Sequence, residues 1–336
     1  METKQLKIAG RTIDRINPPY LIAEAGSNHN KSIETAKQLI EAAAESGADA
    51  VKWQLFLADE LYKPGDQLYD IFKSIEFPVE WLPMIKDHSR KCGVAFIASP
   101  FDRKSVQSLL ANGVEAFKIA SSETVDLKLL GYIASAKLPT IISTGMCDLV
   151  DVVEAVNVCN AVNNDQLAVL QCSSLYPMEP EHAHLRVLDT FKAVFRYPLG
   201  YSDHSLGLAV SVAAVARGAV IIEKHLTLDK KSNGPDHFYA LEPAELKTLR
   251  QMLNEAHASL GSPEKSFIED KKIARREGLF ATREIKKGET IGLDAISASR
   301  PATGIRARYL NQIARSKAKS NIANGSAIQW ADLDFQ

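Results

Sequence analysis

The sequence lacks the features that mark several large classes of protein. It has no excess of either charge, because 40 lysines and arginines stand against 41 aspartates and glutamates in 336 residues, so bulk electrostatics gives no reason to expect nucleic-acid binding. No apolar run approaches the roughly 18 residues that a membrane span needs. The charged start METKQLKIAGRTIDR is unlike a signal peptide. We therefore expect a cytoplasmic protein that binds neither nucleic acid nor membrane.

Cysteine is also scarce, and its positions form neither a CxxC pair nor the spacing of a disulfide framework. The four cysteines are Cys92, Cys147, Cys159 and Cys172. We expect them to be small buried hydrophobic residues in a reducing compartment. The composition, 46% hydrophobic and 24% charged, is typical of a globular protein with enough core for a large domain and a small one.

A unit of apolar strand, polar loop and amphipathic helix recurs along most of the chain. The eight strand-like runs are 21–26, 48–54, 94–100, 115–121, 138–145, 167–174, 199–205 and 220–228. Eight such units over roughly 240 residues predict a closed (β/α)₈ barrel, or TIM barrel. An open doubly wound sheet is the alternative, but it would normally carry a glycine-rich phosphate motif after the first strand, and AEAGSNHNKS is not one.

The segments outside the repeat predict smaller structures. Residues 5–19 read as a β-hairpin with its turn at Ala9-Gly10, at the start of a barrel domain that spans 1–261. The charged stretch 262–276 reads as a linker, and short β-type runs predict a small β-rich domain over 277–336. A domain of that size buries little surface by itself, so we expect it to pack on the barrel or on a partner subunit. Residues 59–77 read as a long loop that could cover the site.

Polar side chains stand at the C-terminal end of every predicted strand, which is where barrel enzymes place their active sites. They are Glu24, Lys52, Gln54, Ser99, Lys118, Ser121, Glu123, Ser143, Thr144, Ser173, Ser174, Ser202, Asp203, His204, Glu223 and His225. So complete a set favours a ligand site over a merely solvated rim.

Two lysines in this set, Lys52 and Lys118, follow apolar strands, where an unpaired ammonium group is costly. Each of them either pairs with a neighbouring glutamate or faces a bound anion. The presence of both lysines, together with several serine hydroxyls, favours a phosphate or carboxylate ligand. A Schiff-base role for one lysine, as in class I aldolases, is a further alternative.

Two histidines, His204 and His225, end the seventh and eighth predicted strands, which a βαβ connection brings to the same edge of the sheet. Glu24 and Asp236 are able to reach the same space. Two imidazoles completed by carboxylate, water and substrate oxygen suit Mn²⁺ or Mg²⁺ better than a closed structural zinc site. The sequence therefore predicts a divalent-metal site here.

The motifs at these positions resemble those of the sialic acid (N-acetylneuraminate) synthases and related nonulosonate synthases. The matching segments are LIAEAGSNHN, GADAVKWQ, FKIASSE, IISTGM, CSSxYP, GYSDHS, IEKHLTLD and GPDH. At the C-terminus, IKKGE and SRPATGI resemble the family's antifreeze-like (SAF, β-clip) domain. The resemblance covers nearly the whole chain. It implies a TIM-barrel enzyme that condenses phosphoenolpyruvate with an N-acylated mannosamine-type sugar to give a nonulosonic acid and phosphate.

The resemblance also implies roles for individual residues. The positions that match phosphoenolpyruvate-binding residues of the family are Lys52, Lys118, Ser121, Ser143, Ser174 and Ser202. The matches to catalytic carboxylates, with acid, base or electrostatic roles, are Glu24, Glu123 and Asp236. The matches to sugar-binding residues are Tyr176, Asp236 and Arg300. His204 and His225 match ligands of a divalent metal, taken as Mn²⁺ with Mg²⁺ or Co²⁺ as alternatives. Arg300 matches an arginine that the SAF domain of the other subunit lends to the sugar, which implies a domain-swapped homodimer.

The segment after the sixth strand departs from the family pattern, because many members have YPTP where this chain has Tyr176, Pro177 and then Met178-Glu179-Pro180. That loop faces the sugar, so the acceptor stays open between N-acetylmannosamine, a 6-deoxy diacetamido sugar of the legionaminic or pseudaminic type, and a spore-coat polysaccharide precursor. The sequence shows no additional basic cluster that would bind the phosphate of a phosphorylated acceptor. Two other functions remain as alternatives: another phosphoenolpyruvate-dependent 3-deoxy-sugar-acid synthase, and a non-catalytic carbohydrate- or ice-binding protein.

Overall fold

The computed structural model describes residues 4–265 and 275–335, and the chain divides into two compact units, 1–261 and 262–336. The first unit begins with the predicted hairpin, in which β1 (Leu6–Ile8) pairs antiparallel with β2 (Arg11–Ile13). Its two turn residues, Ala9 and Gly10, both have positive φ angles, of 47° and 85°. That geometry matches the twist of the two strands, and glycine adopts it without a steric penalty.

Eight parallel strands follow and close into a barrel, which confirms the predicted fold and excludes the open sheet. They are β3 (Tyr20–Gly26), β4 (Ala50–Leu55), β5 (Ala95–Pro100), β6 (Ala116–Ile119), β7 (Thr140–Ser143), β8 (Leu167–Cys172), β9 (Leu199–Asp203) and β10 (Ile221–His225). The ring closes where β10 pairs with β3, with His225 opposite Glu24. The last strand thereby brings a histidine beside the carboxylate of the first.

Helices follow the strands of the barrel along the chain. They are α1 (Ile33–Glu45), α2 (Ala58–Leu61), α3 (Tyr69–Ile75), α4 (Leu82–Cys92), α5 (Arg103–Ala111), α6 (Leu127–Ala134), α7 (Leu149–Ala161), α8 (Val187–Val194), α9 (Ala209–Ala216) and α10 (Pro243–Leu260). Local signals set several of their starts: the Ser32 hydroxyl accepts a hydrogen bond from the Thr35 amide at the start of α1. The prediction of a long loop over 59–77 is wrong in part, because α3 lies within that segment and α2 extends into it.

The interior of the barrel is apolar toward the N-terminal ends of its strands. Inward residues such as Ile22, Ile97 and Ile141 form one buried cluster with Leu6 and Ile8 of the hairpin. The hairpin therefore packs against the N-terminal mouth of the barrel. Apolar side chains therefore fill the N-terminal mouth. The polar C-terminal ends of the parallel strands all lie at the opposite mouth.

The second unit is β-rich, as predicted, and has its own core, which includes Leu279, Ile291, Ile305 and Ile328. Its elements are β11 (Gly278–Ala281), β12 (Ile296–Ser299), α11 (Leu310–Ile313), β13 (Lys317–Ala318) and β14 (Leu333–Asp334). The pairs β11–β12 and β13–β14 are antiparallel. Most of the predicted linker, 266–274, lies outside the described residues. No helix in the described part of the chain is long and apolar enough to cross a membrane.

Candidate active site

The C-terminal mouth of the barrel holds a cavity of about 280 Å³. It is lined by Glu24, Lys52, Gln54, Phe72, Ser99, Phe101, Lys118, Ala120, Ser121, Ser122, Met146, Cys172, Ser174, Tyr176, His204, Glu223, His225 and Asp236. A larger cavity of about 460 Å³ lies elsewhere, between Arg15 and residues 192–199. We place the candidate site in the smaller one, because most of the predicted chemical groups converge there.

Both lysines at this mouth are buried and paired with glutamates. The Nζ of Lys52 lies 2.7 Å from Oε2 of Glu24 and 3.7 Å from Oε1 of Glu223. The Nζ of Lys118 lies 3.0 Å from that same Glu223 oxygen. Of the two alternatives that the sequence left open, the structure thus shows pairing with glutamates, which balances the charge of both lysines. Binding of an anionic ligand by the lysines stays a prediction.

The two glutamates differ in their tendency to hold a proton. Burial would raise the pKa of Glu223, but the ammonium groups of Lys118 and Lys52 outweigh it and lower that pKa to about 2. For Glu24, burial prevails over Lys52 and raises the pKa. Gln54 also donates a hydrogen bond of 2.7 Å from Nε2 to Oε1 of Glu24. A pair of carboxylates with pKa values pushed apart allows one to stay ionised while the other takes and gives a proton.

A small polar cradle lies beside the lysines. The backbone amide of Gly145, from the IISTGM motif, donates a hydrogen bond of 2.9 Å to the Ser121 hydroxyl. A Cβ at position 145 would meet the Ser174 hydroxyl at 2.5 Å and the Ser121 hydroxyl at 3.0 Å. Glycine is required here by this close approach, which lets two serine hydroxyls and a backbone amide converge as a small anion needs.

The two histidines are neighbours, with ring centroids 5.5 Å apart. The Nδ1 of His204 is 2.8 Å from the Ser173 carbonyl oxygen, so that hydrogen bond fixes the ring and leaves Nε2 for another partner. His225 is buried and its Nδ1 has no hydrogen-bond partner. Burial lowers the pKa of His225 to about 3, so this imidazole is neutral at physiological pH, which is the form that binds metals.

The carboxylates do not complete a metal-binding cluster around these rings. Oδ2 of Asp236 lies 3.8 Å from Nδ1 of His225. Within residues 4–265 and 275–335, no three His, Cys, Asp or Glu side chains stand close enough together to hold a metal ion. Among the described residues, His204 and His225 are adjacent nitrogen donors, and Asp236 lies next to one of them. The predicted metal site itself stays a prediction.

Cys172, at the end of β8, is a site residue that the sequence did not suggest. Its Sγ lies 3.9 Å from Nδ1 of His204. Burial would raise the pKa of this thiol, but His204 outweighs it and lowers the pKa. All four cysteines are free; Cys159 and Cys172 are buried as expected, whereas Cys92 and Cys147 are partly exposed. Only its position, directly before the CSSxYP serines, could have drawn attention to Cys172.

Asp236 is held in place by the loop that carries it. The Tyr239 hydroxyl donates a hydrogen bond of 2.7 Å to Oδ1 of Asp236. His237 forms a hydrogen bond of 2.6 Å with the Thr227 hydroxyl, and a Cβ on Gly234 would approach the His237 ring to 2.6 Å. Asp236 and His237 of the GPDH motif are thus each held by a hydrogen bond of their own. Tyr239 was not among the predicted site residues, although it follows Asp236 by a single turn of 3₁₀ helix.

Tyr176 and three apolar side chains form another part of the cavity wall. The Tyr176 ring lies 4.1 Å from the His204 ring, centroid to centroid, and 5.7 Å from that of Tyr239. Phe72, Phe101 and Met146 supply the apolar part of the lining. Sequence patterns did not identify these three, because they come from α3 and from turns that follow β5 and β7.

Four of the predicted site residues are not part of the cavity lining. Ser143 and Ser202 are buried, and Ser202 donates a hydrogen bond of 3.0 Å to Glu223. Glu123 accepts a hydrogen bond of 2.6 Å from Ser122, and burial raises its pKa. Arg300 belongs to the second unit, where its side chain is 63% exposed and its Nε lies 3.9 Å from Glu277.

Comparisons with known protein families agree with these motifs. The profile of the NeuB family matches residues 39–265, and that of the SAF domain matches residues 276–334. These two matches account for most of both compact units.

Individual relatives are similar over nearly their full lengths. The N,N'-diacetyllegionaminic acid synthase of Legionella pneumophila is 36% identical, over 94% of this chain and 94% of the relative. The N-acetylneuraminate-9-phosphate synthase of Mus musculus is 33% identical, over 86% and 85%. A similar solved structure is the crystal structure of the N-acetylneuraminic acid (sialic acid) synthetase from Leptospira borgpetersenii serovar Hardjo-bovis in complex with citrate. Its sequence is 32% identical to this chain, and it aligns with a TM-score of 0.76 over 80% of this chain and 94% of that one.

Proposed function

This chain belongs to the NeuB family and is an enzyme, and we propose that it condenses phosphoenolpyruvate with an N-acylated mannosamine-type sugar to give a nonulosonic acid and phosphate. The observation that carries the proposal is the convergence of two buried lysines, a serine cradle and two adjacent imidazoles in one cavity at the barrel mouth. In such a reaction an anionic substrate and an aldehyde react with each other. The lysines and serines of this cavity suit the anion, and the imidazoles suit a metal ion that binds the aldehyde.

The lysines and the serine cradle are suited to phosphoenolpyruvate. Lys52 and Lys118 donate charged hydrogen bonds, while the hydroxyls of Ser121 and Ser174 converge as neutral donors beside them. The Gly145 amide donates to Ser121 and thereby orients that hydroxyl. Ser202 supports this group, since its hydroxyl donates a hydrogen bond to the Glu223 carboxylate between the lysines. For Ser143, a role in binding phosphoenolpyruvate rests on the family resemblance. A Schiff-base role is disfavoured, because both ammonium groups are ion-paired and the pKa of Lys118 is raised: burial lowers it, but Glu223 outweighs burial.

The two imidazoles are suited to a divalent metal ion. The orphaned, buried Nδ1 of His225 and the free Nε2 of His204 are the donors that such an ion would use. Borderline nitrogen ligands next to carboxylate and water favour Mn²⁺, with Mg²⁺ or Co²⁺ as alternatives. When bound, the cation supplies Lewis acidity toward the aldehyde oxygen of the open-chain sugar.

The carboxylates of the site have different roles in the proposed reaction. In the reaction, C3 of phosphoenolpyruvate forms a bond to the aldehyde carbon, water adds at C2, and phosphate departs from the tetrahedral intermediate. Glu223 stays ionised and stabilises positive charge that develops at C2. Glu24 and Glu123 have raised pKa values, so they are the candidates to transfer protons. Asp236, held by Tyr239, orients the sugar or its attacked carbonyl.

The wall of the cavity bears on the acceptor sugar. Lys52 and Lys118, assigned above to phosphoenolpyruvate, are its basic residues, and no other lysine or arginine of the described chain lines it. The cavity therefore has no additional basic cluster for a phosphate on the sugar. Phe72, Phe101 and Met146 instead offer hydrocarbon contacts. These contacts favour, as a second candidate acceptor, a 6-deoxy diacetamido sugar, whose methyl group would be exposed to water in a wholly polar cavity.

The second unit enters the proposal through Arg300. Its guanidinium is exposed and bound only loosely, to Glu277, which suits a residue that binds the N-acyl group of a sugar. We propose that it does so in the active site of a partner subunit, within a domain-swapped homodimer. The family resemblance of SRPATGI supports this assignment.

A product assay tests the proposal directly. The enzyme is incubated with phosphoenolpyruvate, Mn²⁺ and, one at a time, N-acetylmannosamine, a 6-deoxy diacetamido hexose and arabinose 5-phosphate, and products are identified by mass spectrometry. We expect a nonulosonic acid and phosphate with an N-acylated hexosamine. Turnover of arabinose 5-phosphate alone would support another 3-deoxy-sugar-acid synthase. Ice or glycan binding without phosphate release from any sugar would support a non-catalytic protein.

A further inference from the structure

Asp203 and Lys224 form a buried ion pair beside the two histidines, and the proposed reaction uses neither of them. They face each other in register across β9 and β10, with Lys224 Nζ 3.0 Å from Asp203 Oδ2. Each residue is 1% exposed. Because side chains alternate along a strand, this pair points away from the cavity while His204 and His225 point into it.

The hydrogen bonds of the pair converge on Ser205, the residue directly after His204. Oδ1 of Asp203 accepts hydrogen bonds from the Ser205 amide at 2.8 Å and from the Ser205 hydroxyl at 2.7 Å. Nζ of Lys224 donates a hydrogen bond of 2.5 Å to the Ser205 carbonyl oxygen. Every polar group of Ser205 is thus held by this ion pair, so its backbone has little freedom to shift.

The pair is also tied to the helix layer outside the barrel. Oδ2 of Asp203 accepts a hydrogen bond of 2.5 Å from the hydroxyl of Ser211 in α9. The strand β9 ends at Asp203, so His204 is the point at which the chain leaves the sheet. Beyond β9 the chain keeps one bridge to Met178, whose amide donates a hydrogen bond of 3.0 Å to the His204 carbonyl oxygen. The contacts with Asp203 and Lys224 add to this bridge and fix both the backbone and the side chain of Ser205.

Stability alone does not explain this arrangement. A buried ion pair is generally no more stabilising than an apolar pair of similar volume, because desolvation of both charges offsets their attraction. Positioning does explain it: Lys224 lies between Glu223 and His225 in the chain, and Asp203 lies between Ser202 and His204. Side chains that line the cavity therefore flank Lys224 on both sides. Asp203 lies between the cavity residue His204 and Ser202, which donates a hydrogen bond to Glu223.

We propose that Asp203 and Lys224 are positioning residues that hold His204 and His225 in the orientation required to bind a divalent metal ion. The inference rests on the proposed function for its metal ion, and goes beyond it by assigning the middle residues of the SDH and EKH motifs. Groups that orient metal ligands typically change metal affinity by about 10- to 100-fold when they are removed.

The test uses the variant Asp203→Asn/Lys224→Met, which removes both charges and keeps similar volumes. Mn²⁺ and phosphoenolpyruvate are titrated separately into metal-free full-length enzyme by calorimetry, after circular dichroism confirms the fold. We expect Mn²⁺ to bind about 10- to 100-fold more weakly, with phosphoenolpyruvate affinity changed by no more than about threefold. If the double variant does not fold, Asp203→Asn is measured in the same way.

A second buried pair supplies a matched control. Arg250 and Asp49 form an ion pair of 2.5 Å toward the opposite end of the barrel, and both are largely buried. The variant Asp49→Asn/Arg250→Met should lose thermal stability and keep wild-type Mn²⁺ affinity. Wild-type Mn²⁺ affinity in the Asp203/Lys224 variant would overturn the inference alone. A wild-type enzyme that binds no Mn²⁺ would overturn the proposed metal dependence and, with it, the inference.

Discussion

Oε1 of Glu223 lies 3.0 Å from Nζ of Lys118, and the same oxygen is 3.7 Å from Nζ of Lys52. One buried carboxylate thus lies between two buried ammonium groups at the centre of the barrel mouth. The anionic substrate that we propose would enter a site whose cations are already compensated. Its affinity therefore depends on how the glutamates respond to a second source of negative charge.

Glu223→Gln should destabilise the free enzyme and increase the stabilisation that phosphoenolpyruvate provides. The change leaves two buried lysines with Glu24 as their remaining partner, and breaking such a buried pair costs about 3–5 kcal/mol. The measurement is the melting temperature with and without phosphoenolpyruvate. Glu34→Gln, which breaks the surface pair with Lys37, should change neither value. An equal shift by phosphoenolpyruvate in Glu223→Gln and wild type would contradict the assignment of an anion to the lysines.

His225→Ala should abolish Mn²⁺-dependent phosphate release while the barrel stays folded. The side chain is one of the two imidazole donors, and its loss leaves His204 alone. Phosphate release is measured across Mn²⁺ concentrations, with circular dichroism as the check on folding. His182→Ala, a change at an exposed position, is the control. Wild-type turnover by the His225 variant would rule out its role as a metal ligand.

The stability of the protein should fall as the pH decreases from about 6.5 to about 4, in part because of His29. Burial, with a smaller contribution from Lys31, lowers the pKa of His29 to about 4. In this window the unfolded state binds the proton and the folded state does not, so unfolding becomes easier as pH falls, by about 3 kcal/mol for this group. Above pH 6.5 this contribution is constant.

The variant His29→Phe isolates that contribution. His29 packs among Trp53, Phe77 and Trp81, so phenylalanine retains the ring contacts and cannot be protonated. Urea unfolding between pH 4 and 7 should show a shallower pH dependence in this variant than in wild type. The variant His182→Phe, which replaces an exposed histidine, is the control. Parallel curves for His29→Phe and wild type would disprove the assignment.

Gly234→Ala should reduce activity by about a hundredfold, as small displacements of catalytic groups often do. The new Cβ would stand 2.6 Å from the His237 ring, which would displace the loop that carries Asp236. Gly207→Ala is the matched control, because Gly207 also has a positive φ, of 77°, but open space around its Cβ position. The two variants are compared by steady-state kinetics and melting temperature. Similar activity losses in both would mean that backbone strain, rather than the clash with His237, is responsible.

Arg300→Ala should raise the KM for the sugar by about tenfold or more, the usual effect of losing a charged hydrogen bond, and leave the KM for phosphoenolpyruvate nearly unchanged. Arg283→Ala, in the same unit and paired with Glu289, should affect neither constant. Steady-state kinetics with each substrate varied in turn provides the comparison. Equal increases in both KM values would count against a sugar-binding role for Arg300.

Local patterns in the sequence predicted the barrel and most of its strand ends. Apolar runs, helix caps such as Ser32 and the turn at Ala9-Gly10 depend on neighbouring residues, so they are visible in one dimension. The alternation of side chains then places His204 and His225 inside the barrel once its strands are counted. The helices within 59–77 were missed, because a short segment with few buried residues carries little periodicity.

The partners of the site residues were decided by the tertiary structure. The sequence left open whether Lys52 and Lys118 pair with glutamates, and β3, β4, β6 and β10 had to close into a ring before Glu24 and Glu223 could reach them. The contact of Cys172 with His204 likewise joins two different strands. The positions of the strand ends, and the residue types that stand there, follow from short-range sequence patterns and from the alternation of side chains. Charge compensation and pKa values depend on distances between residues that are remote in sequence. Only the closed barrel sets those distances.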